Sequence, residues 1–123
     1  MLVGVFIMIK NPRLALELEL DKDKLAECNM TIEDAFSIFR ERFSKFGLVE
    51  DSKDITEAPT VFLTDGSEKG MAMIALANDV LLDELPWFKK SAVKMDLWKE
   101  NFSTKKFEYS GDGISVAKEY NRW

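Results

Sequence analysis

Carboxylates are the most plentiful chemically capable side chains in this chain, and they are unevenly spread. Asp and Glu number 22 against 17 Lys and Arg, for a net charge of −5 over 123 residues. Residues 1–30 carry −1, residues 31–60 carry −3, residues 61–86 carry −4 and residues 87–123 carry +3. The stretch 50–86 contains Glu50, Asp51, Asp54, Glu57, Asp65, Glu68, Asp79, Asp83 and Glu84, opposed by Lys53 and Lys69 alone. A surface like that attracts a cationic protein and speeds its capture. It also serves plain solubility. Asp21 with Asp23, or Asp51 with Asp54, have the chemistry to bind a hard cation, and a more distant pair suits glycosidase-type work. The Asp-Lys-Asp spacing lacks the glycine and closing glutamate of a calcium loop, so a solvated connector is the expected role.

Histidine is absent altogether. The commonest general base, the usual activator of Ser and Cys nucleophiles and the commonest metal ligand are therefore missing. The single cysteine, Cys28, cannot form an intrachain disulfide, and its neighbours Asp21, Asp23 and Glu27 are a poor setting for a thiolate nucleophile. No metal site, cofactor or catalytic residue is expected.

Two stretches interleave basic and aromatic residues: PWFKK, with Trp87, Lys89 and Lys90, and TKKFEY, with Lys105 and Lys106. Aromatic faces that stack bases beside lysines that follow phosphates bind single-stranded nucleic acid. On a strand, however, Lys106 shares a face with Glu108 while Phe107 and Tyr109 share the other. This favours core aromatics over a stacking platform. TVFLTDGSEKGM has the outline of a strand, a glycine-bearing loop and a possible helix, the arrangement that cradles a phosphate. Lys69 is followed by Gly70 and Met71 rather than by Ser or Thr, so a hairpin turn is expected instead.

These side chains need elements to hold them. MLVGVFIMIKNPRLALELELD reads as a β-hairpin. Residues 2–9 are too few to span a bilayer, and they lack the basic flank and cleavage site of a secretory signal. Asn11-Pro12 marks the turn. Leu14, Leu16, Leu18 and Leu20 then share one face, with Glu17 and Glu19 on a wet one. DKDKLAECN is a charged connector with room for one helical turn. Thr31 caps a helix whose stripe is Ile32, Phe36, Phe39, Phe43 and Phe46, with Asp34 giving a weaker version of the capping box and Gly47 stopping it. Residues 49–59 read as a loop and TVFLTD as a strand. MAMIALA reads as a strand pairing back on TVFLTD. Asn78 or Asp79 caps a helix through VLLDEL, which Pro86 kinks or restarts. Val93, Met95 and Leu97, then Phe107 and Tyr109, then Ile114 and Val116, alternate as three strands of a meander, with SGDG as a hairpin turn.

The expected fold is a single α+β domain over residues 1–123, mostly antiparallel sheet with about two helices in the order ββ-α-ββ-α-βββ. In size and charge the chain is similar to small acidic immunity proteins and antitoxins, which mask basic nucleases. The first expectation is accordingly a cytoplasmic, non-catalytic protein-binding module whose acidic stretch faces a basic partner. The alternatives are a single-stranded nucleic-acid-binding protein and a small enzyme built on carboxylates, the latter requiring a pocket that holds a carboxylate with a raised pKa.

Overall fold

A computed structural model describes residues 11–51 and 61–123. The strand expected at residues 2–9, and with it the opening hairpin, lies outside these residues, as do Asp54 and Glu57. Within them, β1 (Leu14–Leu20) leads to α1 (Lys22–Glu27) and α2 (Ile32–Ser44), then β2 (Val49–Glu50) and β3 (Val61–Leu63). Next come α3 (Gly70–Asp79), which runs on as a π-helical segment (Val80–Glu84), and α4 (Pro86–Ser91). The chain ends with β4 (Ala92–Glu100), β5 (Phe107–Asp112) and α5 (Gly113–Glu119). The sheet order is β2-β3-β1-β4-β5, and every pairing is antiparallel.

The period-two pattern of β1 divides the sheet into two faces. Leu14, Leu16, Leu18 and Leu20 join Phe62 and Met95 in the main core, where all five helices contribute buried residues. The helix layer therefore lies on this face. Its centre is aromatic: Phe39 stacks on Phe43 at 5.6 Å and meets Phe62 and Phe88 edge-on. The capping box at the start of α2 forms as expected, Thr31 accepting from the Asp34 amide while Asp34 accepts from the Thr31 amide. Gly47 ends the helix at φ +80, a conformation costly for any residue with a Cβ.

The opposite face departs from the expectation of a wet surface. Ala15, Val61 and Leu63 form a second, smaller core packed by Trp98 and Phe107, and Glu17 is only 4% exposed.

Two segments expected as strands are helices, and the two-helix order is corrected to five helices among the described residues. MAMIALA forms α3 because Ala, Met and Leu favour helix and because Gly70, Ile74 and Ala77 recur at helical spacing on the buried side. Met71 and Leu76 stay on the outer side at 63% and 47% exposed, which hides the amphipathic signal. The chain passes Asn78 and Asp79 without a cap, and Pro86 restarts it at the first turn of α4. The second correction is at the C-terminus. SGDG is not a hairpin turn: Asp112 accepts from the Ile114 and Ser115 amides and so caps α5. That helix closes with Asn121 at φ 58 and the Arg122 amide donating to the Ala117 carbonyl. The meander is therefore a two-strand hairpin followed by a helix.

Candidate functional site

The helix layer carries the first set of carboxylates. Asp79 ends α3, and Asp83 and Glu84 lie in the π-helical segment, so one continuous helical ridge presents all three. Their side chains are 53%, 58% and 51% exposed. Each also accepts from a guanidinium of the same chain. Arg122 forks between Asp79 and Asp83 at 2.7 Å each, and Arg42 pairs with Glu84. The two carboxylates hold the Arg122 proton more firmly than usual, chiefly through the hydrogen bonds that Arg122 donates to Asp79 and Asp83.

The remaining acidic residues sit elsewhere. Glu50 lies on β2 and pairs with Arg40, with Asp51 next to it in sequence. Asp65 is in the turn after β3, where its carboxylate accepts from the Ser67 amide, and Glu68 follows in the same loop. The described part of the acidic stretch thus divides among a helical ridge, a strand at the margin of the described sheet and a loop.

The nucleic-acid candidates are divided too. Trp87 is half-buried and stacks on Phe39 at 5.6 Å, so its ring is committed to the core. Lys89 and Lys90 share α4 with it, before β4, whereas Lys105 and Lys106 follow β4, with the Lys105 Nζ over the Phe102 ring at 4.7 Å. The nine residues of β4 put roughly 27 Å between these groups. Phe107 and Tyr109 do share a face, but Tyr109 is 55% exposed rather than in the core.

Cys28 follows the C-terminal end of α1, the wrong end of a helix to favour a thiolate. Asp21 is occupied as the N-cap of α1, accepting from the Asp23 and Lys24 amides. Among the described residues no group of three or more Cys, Asp or Glu has metal-binding geometry, and no helix is long and apolar enough to cross a membrane.

A group that the sequence analysis did not single out occupies the sheet face opposite the helices. Strand register lines up Glu17, Asp96 and Asp112 across β1, β4 and β5. Laterally paired side chains in a sheet are about 5 Å apart. One step along, Trp98 faces Tyr109, their rings 5.5 Å apart and nearly perpendicular. One step further, Glu100 faces Phe107. Glu17 accepts from the Trp98 Nε1–H at 2.9 Å and meets the Lys94 Nζ at 3.5 Å. Burial, then repulsion from Glu17 and Asp112, pushes the Asp96 carboxyl up, with Lys94 partly offsetting them. The Tyr109 hydroxyl is pushed up as well, by desolvation and then by Asp96 and Asp112. Asp112 goes the other way, held low mainly by the Ser115 hydroxyl that donates to it at 2.8 Å.

Three clefts border this group, and one of them reaches Tyr109. A cleft of about 560 Å³ is lined by Arg13, Thr64, Asp65, Glu100, Phe102 and Lys105 among others. Within it Arg13 and Glu100 form a two-pronged pair, at 2.9 and 3.3 Å, which holds Glu100 low chiefly through the Arg13 hydrogen bond. Smaller clefts of about 400 and 370 Å³ adjoin Pro12 and Lys99. Asp96 lines none of the three. Of the signals for this second group, Asp96 and Trp98 at i and i+2 on a strand were legible. No protein-family model matches this chain, and no curated protein matches it significantly.

Proposed function

We propose that this chain is a non-catalytic protein-binding module of inhibitor or immunity type, which masks a basic partner such as a nuclease toxin in the cytoplasm. The observation that carries the reading is the ridge of Asp79, Asp83 and Glu84. Three carboxylates stay about half exposed on one helical surface, already ordered by guanidinium groups. A surface that holds Arg122 and Arg42 offers the geometry that a partner's Arg or Lys would use. The chain's own arginines also temper the field, since three carboxylates facing two guanidiniums leave one net negative charge. Selectivity on such a ridge comes from geometry more than from long-range steering. The nucleic-acid alternative is weakened by the separation of Lys89 and Lys90 from Lys105 and Lys106. The carboxylate-enzyme alternative has a raised carboxyl in Asp96, but Asp96 does not line any of the three clefts described above.

The test is capture from native lysate on immobilised protein, with the triple variant Asp79→Asn, Asp83→Asn, Glu84→Gln as control. One basic protein should be retained, released by added salt, and lost by the variant while its thermal unfolding midpoint shifts by only a few degrees. Equal capture by the variant rules out the ridge as the site. Capture of no basic protein rules out the reading itself.

A further inference from the structure

The sheet face opposite the helices repeats one motif along β4 and β5, and the molecule itself fills one copy of it. In the row where Glu100 faces Phe107, the Arg13 guanidinium sits 5.3 Å from the Phe107 ring centroid and donates twice to Glu100. A carboxylate and an aromatic ring together hold a planar cation. The next two rows offer the same ingredients: the perpendicular rings of Trp98 and Tyr109, then the carboxylates of Asp96 and Asp112, with Glu17 beside Asp96. Lys94 is the cation that acts on Asp96 and Tyr109, but it approaches Glu17 at 3.5 Å and does not neutralise three acids. Tyr109 is open to solvent, and β5 is at the margin of the described sheet.

We propose that this face docks an extended, arginine-bearing segment of a partner protein, with successive outward side chains entering the Trp98–Tyr109 row and the Asp96–Asp112 row. The spacing supports an extended occupant. The two rows are one i, i+2 step apart along β4, about 6.6 Å, which is the spacing of same-face side chains on any strand. A β-bulge creates the arrangement. Leu97 pairs with Gly111 and Trp98 with Tyr109, so Ser110 is the extra residue. Tyr109 and Asp112 are three residues apart and would otherwise point to opposite faces. The proposal rests on the chain being a binder of basic proteins, and it adds a face on the far side of the sheet from the Asp79–Asp83–Glu84 ridge.

The test uses ¹⁵N-labelled full-length protein and a capped heptapeptide of alternating arginine and threonine, followed by NMR at low salt. The expected result is saturable shifts in the Trp98 indole N–H and the amides of β5, with Asp96→Asn and Tyr109→Ala each weakening binding about three- to ten-fold. Both substitutions lie at partly or well exposed positions, and a preserved spectrum in each confirms the fold. Saturable shifts confined to residues 79–84 overturn the docking face while leaving the binding-module reading intact. No saturable shifts anywhere overturn the docking face, while the binding-module reading stands or falls on the lysate capture.

Discussion

Single residues on the far sheet face set opposing pH responses. The folded state binds the Asp96 proton more tightly than the unfolded chain does, because burial and two neighbouring acids disfavour its charge. Its contribution therefore lowers stability as pH rises from the ordinary carboxylate range through the raised Asp96 value. Asp96→Asn should remove that loss and stabilise the protein at neutral pH by about 0.5 kcal/mol, the scale of a like-charge cross-strand pair. Urea unfolding at several pH values checks this, and a variant as pH-sensitive as the parent would contradict it. Glu100 works in the other direction. Arg13 lowers its pKa, so its stabilisation is present above the ordinary carboxylate value and disappears as pH falls through the depressed one. Glu100→Gln should cost about 1 kcal/mol at neutral pH and little in acid, after allowance for the exposure of Arg13. Neither response was legible beforehand. Glu17 and Asp96 are 79 positions apart in the chain, and only strand register makes them neighbours.

Among the elements, α2 was the most readable, because all its signals agree. Thr31 and Asp34 open it, the phenylalanine stripe faces the core and Gly47 closes it. Thr31→Ala should cost about 1 kcal/mol, whereas Thr31→Ser should cost much less, as measured by chemical denaturation. The elements at α3 and α5 were misread for different reasons. In α3 apolar residues surround the helix, so strand and helix predict the same composition, and propensity was the better guide. In α5 the Asp-Gly pair signals a turn in one context and a helix cap in another. Gly113 is a sharp probe of that junction, since a Cβ there would stand 2.6 Å from the Met95 carbonyl oxygen. Gly113→Ala should destabilise by about 2 kcal/mol and lower the helical signal in circular dichroism. A neutral effect would argue against the packing of α5 on β4.

At the scale of the molecule, stability depends on the aromatic centre between the sheet and the helices. Phe39 is fully buried and meets five rings, Phe36 and Phe43 of its own helix, Phe62 of β3, and Trp87 and Phe88 of α4. Phe39→Ala should cost about 4 kcal/mol, a large part of the 5–15 kcal/mol typical of a small domain, and calorimetry should show a correspondingly lower unfolding midpoint. Arg122 is the counter-example. Its two ion pairs are exposed, so Arg122→Ala should cost about 0.5 kcal/mol, and less in high salt.

The amino-acid sequence by itself determined the mixed helix-and-sheet character, the strands β1, β3, β4 and β5, the capped helix α2, and a composition without histidine. These follow from local periodicity, from short-range capping and from composition, none of which needs a partner distant in the chain. The tertiary structure alone decided which charges meet. It paired Arg122 with Asp79 and Asp83, Arg42 with Glu84 and Arg40 with Glu50, and it set Glu17 and Asp96 beside Asp112. Strand order, register and one bulge control those meetings. A shift of a single residue in any of them turns a side chain to the other face of the sheet.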